Sequence, residues 1–306
     1  MARYSDDELK RLVHQGFIVE SEDEMTPAYK KALITQLTVQ GDTELMSAPA
    51  YFRVARDAPS TNTMVSATAI IQDELGHANI AYRLLEDLGV SREYLLYERE
   101  PHQFKNPYGF DQPLENWAEL VVANGFFDRA GITLLGDIHR NTSYGPLKRA
   151  LVKVDLEENF HLRHGEVWMR RLAQAGGECR EMLQRAVDWM FPTGVEWFGM
   201  PDTLKRHSDQ LEFKLKGMSN DQLRQAWLNA VVPLCEELGL EIPAHWDPVQ
   251  KRAILDYEYP CEFDEREKRW LFDEPITWER AFERWRRRGP MNEIYVESIR
   301  KSRAWL

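Results

Sequence analysis

Apolar residues recur at helical spacing along four long stretches of the chain, each bounded by turn or capping residues. The first opens at Pro27, which a first helical turn tolerates, and carries Leu33, Leu37, Gln40 and Glu44 at spacings of four, three and four; Pro49 is expected to stop it. After the turn residues Asp57, Ala58, Pro59 and Ser60, a second stretch sets Ala67, Ile70, Glu74, His77, Ala81, Leu84 and Leu88 on one stripe and ends at Gly89. Residues 93–113 are rich in Tyr, Pro, Asn and Gly without a sustained period and read as a long crossover connection. The third stretch starts near Leu114 and carries Trp117, Val121, Asn124, Asp128, Gly131, Leu135 and Ile138. The fourth opens after Gly145 and Pro146 and runs through Leu147, Leu151, Val154, Glu158, His161, Gly165 and Trp168 to the break at Gly176 and Gly177.

Four long amphipathic helices with one long middle connection predict an all-α protein built on a ferritin-like four-helix bundle. Residues 178–240 are helical again, with Ser219 and Gln222 set as a capping box ahead of Leu223, Trp227 and Val231, and are expected to pack on the bundle. The chain thus divides into a bundle with accessory helices, residues 1–240, and a C-terminal extension, residues 241–306. That extension mixes Pro, Trp and dense charge and reads as irregular or partly helical, its Arg284, Arg286, Arg287 and Arg288 forming a solvated face. No stretch reads as a β-strand.

Composition narrows the function. Apolar residues at 43% and charged residues at 29% of 306 fit a globular chain with a sizeable core. A net charge of -11 works against binding a phosphate backbone, so nucleic acid is not an expected partner. Cys179, Cys235 and Cys261 are odd in number and widely separated, which supports neither disulfides nor a cysteine-held metal and points to a reducing cytoplasm. Residues 1–10 lack an apolar core, and no apolar run reaches membrane-spanning length, so neither export nor a membrane is expected.

Two of the eight histidines follow a glutamate by three positions, Glu74 with His77 and Glu158 with His161, and one helical turn puts each pair on one face. The spacing alone is common. Its weight comes from register: both pairs sit on the stripe that should face the core, where unpaired carboxylates cost several kcal/mol. The other two helices each add an acid to the same stripe, Glu44 and Asp128. Glu44 precedes Glu74 by 30 residues and Asp128 precedes Glu158 by 30, so the halves repeat with an offset of 84. Four antiparallel helices would bring Glu44, Glu74, His77, Asp128, Glu158 and His161 to one level of the bundle.

Carboxylates bridging two divalent cations capped by imidazoles suit iron, with manganese as the alternative, better than a thiolate-preferring metal. Asp73 and Glu157 stand just before the motif glutamates and are placed to accept the outer N–H of the histidine on the opposite helix. His164, one turn beyond His161, is expected to be exposed or in a polar contact, and His14, His102, His139, His207 and His245 show no comparable partners.

With these motifs in hand, the chain resembles the catalytic (A) subunit family of ring 1,2-phenylacetyl-CoA epoxidase, a multicomponent di-iron monooxygenase. The resemblance rests on MTPAYKKALI (residues 25–34), QDELGH (72–77), TSYGP (142–146), EENFH (157–161) and SNDQLRQ (219–225), and covers about residues 25 to 245. It implies that Glu44, Glu74, His77, Asp128, Glu158 and His161 are iron ligands and that Lys214 lies near the coenzyme A moiety of the substrate. It also implies an aromatic acyl-CoA and O2 as substrates, and a hetero-oligomer with a noncatalytic sister bundle subunit and a small accessory subunit. The chain departs from the family at Thr35, Val39 and Ile70, where the family places substrate-holding arginine, glutamine and lysine, and in the loop from Gln103 to Phe110.

The leading expectation is an oxygenase that converts the ring of a phenylacetyl-CoA-like substrate to an epoxide. Electrons must come from outside, because the chain has neither Gly-x-Gly-x-x-Gly nor a cysteine set for an iron-sulfur cluster; an NADPH-linked reductase is implied. The competing readings are another di-iron oxidase, such as an N-oxygenase, desaturase or radical-storing subunit, and a ferritin-like protein that binds iron without oxygenating anything. The radical class wants a metal-facing tyrosine, and Tyr82, five residues after His77, should point away.

Overall fold

The computed structural model describes residues 3–205 and 207–305. Its centre is four long helices: α2 (Pro27–Ala55), α3 (Thr61–Asp87), α4 (Trp117–Asn141) and α5 (Gly145–Ala175). Thr26, Ser60 and Asn116 cap α2, α3 and α4 through side-chain oxygens that accept the third helical N–H, and Gly176 at φ 68° ends α5. The short turns after α2 and α4 make α2–α3 and α4–α5 close antiparallel pairs, and the connection from Leu88 to Asn116 crosses between them. This is the all-α, ferritin-like bundle that the periodicity predicts.

Pro49 does not stop the first bundle helix, which continues to Ala55. The last two turns carry Tyr51, Val54 and Ala55 into the core, and that burial outweighs the roughly 3 kcal/mol an interior proline costs. The third bundle helix starts at Trp117 rather than Leu114, because Asn116 supplies the cap. A short amphipathic helix, α1 (Asp6–His14), precedes the bundle unforeseen, burying Leu9 and Val13.

The crossover is tied down at a buried carboxylate. Asp42 of α2 takes a two-pronged ion pair from Arg99, at 2.7 and 2.6 Å, together with the Tyr82 hydroxyl and the Lys105 backbone N–H. Arg99 also lies 4.0 Å from the Phe104 ring centroid.

Accessory helices α6 (Gly177–Glu196), α7 (Asp209–Glu212) and α8 (Asn220–Leu238) follow, and α6 and α8 pack on α4 and α5. The Ser219 and Gln222 capping box opens α8, and Gly239 in the left-handed region closes it. The TSYGP stretch is a junction: Ser143 N–H donates to the Lys214 carbonyl, its hydroxyl to the Phe213 carbonyl, and its own carbonyl accepts from Val19 N–H.

The C-terminal extension is more ordered than its composition suggests. It forms two antiparallel hairpins, β1–β2 (Ala244–Asp247 with Arg252–Leu255) and β3–β4 (Cys261–Asp264 with Arg269–Pro275), then helices α9 (Trp278–Arg287) and α10 (Asn292–Ser302). The strands escape a sequence reading because three of them span only four residues, too short for a period to register. The arginine run is not a solvated face throughout. Arg284 is buried against Glu196 of α6 at 2.5 Å, and Arg288 pairs with Asp111 at 2.8 Å, while Arg286 and Arg287 stay exposed. No helix among the described residues is long and apolar enough to cross a membrane.

Candidate metal centre

Each bundle helix delivers its share of the predicted constellation to one level of the interior. Glu44 comes from α2, Glu74 and His77 from α3, Asp128 from α4, and Glu158 and His161 from α5; none is more than 8% exposed. Their donor atoms fall into two triads, Glu44–His77–Glu158 and Glu74–Asp128–His161, each with its atoms within 4.8 Å of one another. Gly165 lets α4 and α5 close up beside this level, since a Cβ there would meet the Gly125 nitrogen at 2.5 Å.

The two imidazoles are mounted alike. His77 turns Nδ1 inward, 3.2 Å from Glu158 and 3.6 Å from Glu44, and Nε2 outward to Glu157 at 3.0 Å. His161 turns Nδ1 inward, 3.2 Å from Glu74 and 3.8 Å from Glu158, and Nε2 outward to Asp73 at 3.3 Å. Each outer acid thus sits on the helix opposite its histidine. The ring centroids are 5.9 Å apart.

Burial opposes charge on His77, but the facing carboxylates of Glu158 and Glu44 overcome it and raise its pKa to about 12. For His161 burial likewise opposes charge, and Glu74, Glu158 and Asp128 raise the value to about 10. Burial and the neighbouring acids raise Glu74 and hold Asp128 well above the usual carboxylate range.

This donor set fits a pair of dications. Without cations, four buried carboxylates repel one another, and the inward Nδ1 atoms of His77 and His161 face carboxylates at 3.2 Å without a well-aligned hydrogen bond. Two divalent ions would balance the four negative charges while the imidazoles turn neutral, and carboxylate plus imidazole is the donor chemistry of iron or manganese.

Residues not read from the sequence complete the cluster. Tyr51, fully buried, donates its hydroxyl to Asp128 Oδ1 at 2.5 Å. Asn124 Nδ2 donates to Asp128 Oδ2 at 2.8 Å, and the Ser47 hydroxyl donates to Glu74. A tyrosine therefore does face the six-residue cluster, although Tyr82 is turned away onto Asp42. Tyr51 carries a usable signal: it stands seven residues after Glu44, two turns along the same face, but beyond Pro49, the expected helix end. Burial pushes the Tyr51 phenol well above its ordinary range, reinforced by the charge of Asp128.

His164 is buried and contacts Asn124 at 3.1 Å; burial lowers its pKa to about 4, so it is neutral. His207, given no partner from the sequence, has Asp209 and Glu212 each at 2.6 Å, but on the surface, where Glu212 also meets Lys10. Lys214 lies half-buried on the loop after α7, its backbone at φ 53° and its carbonyl held by Ser143. Of the three departures from the family, Thr35 is exposed, Ile70 is a buried packing residue, and Val39 is exposed on α2.

A family model described as "Phenylacetic acid catabolic protein" matches residues 4–258. The chain is 30% identical over 301 residues, 98% of its length and 92% of the relative's, to the A subunit of 1,2-phenylacetyl-CoA epoxidase from Escherichia coli (strain K12). It is 24% identical over 194 residues, 56% of its length and 73% of the relative's, to the C subunit of the same epoxidase from the same organism.

Proposed function

Since the chain belongs to the phenylacetic acid catabolic protein family, we propose that it is the catalytic subunit of a di-iron oxygenase that turns the ring of an aromatic acyl-CoA, phenylacetyl-CoA first among candidates, into an epoxide. The observation that carries this reading is the convergence of six buried donors from four helices into two triads. Glu44, His77 and Glu158 hold one iron, and Glu74, Asp128 and His161 the other. Bound iron supplies the reduction of dioxygen and the delivery of one of its oxygen atoms to the ring.

The chain's own residues set the conditions. Glu157 and Asp73 hold the outer nitrogens of the imidazoles, which aims Nδ1 inward and keeps each ligand basic. Tyr51 and Asn124 engage one oxygen each of Asp128, fixing the plane of that carboxylate. The packed rings of Phe110, Phe127 and Trp197 keep bulk water from the Tyr51 side. One atom of O2 ends in the epoxide and the other in water, so each turnover needs two electrons and two protons from outside the ring. An NADPH-linked reductase provides the electrons, and likeness to subunits A and C of one epoxidase supports work in a hetero-oligomer; a sister bundle subunit and a small accessory subunit are its assigned partners. Lys214 is assigned to the coenzyme A moiety.

Iron-loaded protein with its reductase, partner subunits, NADPH and phenylacetyl-CoA should consume O2 and place one atom of 18O2 in the product. Iron oxidation without product would make the chain a ferritin-like iron protein instead. A second reading, a radical-storing subunit, is favoured by the hydrogen bond from Tyr51 to Asp128. It predicts a tyrosyl radical signal, lost in Tyr51→Phe, after reduced iron-loaded protein meets O2 without substrate.

A further inference from the structure

Tyr51 is fully buried, and its hydroxyl donates to Asp128 Oδ1 at 2.5 Å, the one partner it has among the described residues. On its other side the Tyr51 ring meets Phe110, with 5.8 Å between centroids. Phe110 in turn lies 5.6 Å from Trp197, which stands at the end of α6 and stacks on Phe127 at 5.3 Å. A phenol that touches the six-residue cluster is thus one bridging ring away from an indole. Trp197 is half-buried, and it lines a cavity of about 560 Å3 whose wall also carries the exposed Lys105 and Arg286. The series Asp128, Tyr51, Phe110, Trp197 therefore runs from the cluster to solvent.

Phenol and indole are the aromatic side chains that give up one electron to a strong oxidant; the rings of Phe110 and Phe127 only bridge. Nearby cations decide among the indoles. Trp189, 6.2 Å from Phe127, has the Lys268 ammonium 5.0 Å from its ring centroid, and Trp270 has the Arg284 guanidinium at 5.0 Å. A positive charge over a ring opposes removal of an electron from it. Trp197 carries no cation over its ring among the described residues, so it yields an electron before Trp189 or Trp270 does.

We propose that Tyr51 and Trp197 form an oxidation relay that draws surplus oxidising equivalents out of the centre when no substrate consumes them. The relay rests on the di-iron reading given above. Reduction of O2 to water takes four electrons: the iron pair gives two in becoming ferric, and the substrate gives the other two. Without substrate, two oxidising equivalents stay beside Asp128. For each of them, Tyr51 gives up one electron while its proton crosses the hydrogen bond to Asp128. Trp197 then returns an electron to Tyr51, the proton comes back from Asp128, and a soluble one-electron reductant such as ascorbate restores Trp197. Two passages oxidise two ascorbates by one electron each and leave the iron ferric, with protons from ascorbate and solvent completing the water. Tyr51 is then a transit point, whereas a radical store would have no outlet.

Reduced protein at saturating iron, mixed with O2 without substrate, frozen rapidly and read by electron paramagnetic resonance with deuterated tyrosine or tryptophan, tests the relay. A tyrosine radical should form and decay in the native chain, last roughly tenfold longer or more in Trp197→Phe, and be missing in Tyr51→Phe. Ascorbate should shorten its life only where Trp197 is present, and Trp189→Phe should leave that life unchanged. Oxygen addition to Trp197, mapped on peptides by mass spectrometry, should fall severalfold in Tyr51→Phe. Should Trp197→Phe not fold, this mapping decides alone: equal oxidation of Trp197 with and without Tyr51 overturns the proposal. A lifetime indifferent to Trp197, or no radical in native protein holding two irons, overturns the relay and leaves the di-iron reading intact; native protein that binds no iron overturns both.

Discussion

Metal and protons compete for the same inward nitrogens, so loading the centre should acidify the solution. In the metal-free protein His77 and His161 have pKa values of about 12 and about 10, so at pH 7 both rings are charged. A ligand imidazole must be neutral. At about 1.4 kcal/mol per pH unit, removing the two protons at pH 7 costs roughly 7 kcal/mol at His77 and roughly 4 kcal/mol at His161, which metal binding must exceed. Two protons or more should therefore appear per chain filled, and log K for the metals should rise by about two per pH unit from pH 6 to 9 before the slope falls near pH 10.

Stability should move the other way. Both histidines bind protons more tightly folded than unfolded, where their pKa is about 6.5. Their pairing with the acids stabilises metal-free protein fully below that value and is lost as the pH climbs through about 10 and then about 12. The raised carboxyls of Glu74 and Asp128 act in the same direction, stabilising less as the pH rises from the ordinary carboxylate range. The Tm of metal-free protein should therefore drop between pH 7 and 9, and the Tm of loaded protein should not. The assay is anaerobic addition of Fe(II) to lightly buffered protein with an indicator dye, beside chelator competition across the pH range. His161→Ala should take away one proton and most of one metal, whereas His164→Ala, removing a ring already neutral, should change neither count. Fewer than one proton per chain, or an affinity indifferent to pH, would refute the inward-nitrogen geometry.

Tyr51→Phe removes one of the two donors that orient Asp128, and chelator competition should show metal held about tenfold more weakly while the fold persists. Gly165→Ala drives a methyl against the α4 backbone, and thermal unfolding should report a loss of about 1–3 kcal/mol. Arg284→Ala strands the buried Glu196 carboxylate, whose pKa burial already raises, and should cost about 3–5 kcal/mol in denaturant; Glu196→Gln on top should recover part of it.

How much the sequence disclosed followed from how regular each part is. The bundle helices repeat apolar positions over many turns, so their faces were readable, and Glu44, Glu74, His77, Asp128, Glu158 and His161 were visible as charges on stripes that had to be buried. Asp73 and Glu157 followed from helix geometry. Tyr51 was hidden by Pro49, because a local rule about proline does not know that the next two turns are held by tertiary burial. The extension was unreadable for a different reason. Its four-residue strands carry too few alternations to register, and Arg284 looks like any surface arginine until Glu196, 88 residues earlier, is placed beside it.

The outer contacts of the two imidazoles cross between the same pair of helices in opposite senses: from His77 on α3 to Glu157 on α5, and from His161 on α5 back to Asp73 on α3. A slide of one helix along the other by a single turn, about 5.4 Å, would break both ties at once. The alignment of α3 with α5 is thus keyed like a plug with two pins, and the spacing of the inner nitrogens is inherited from it before any ion arrives.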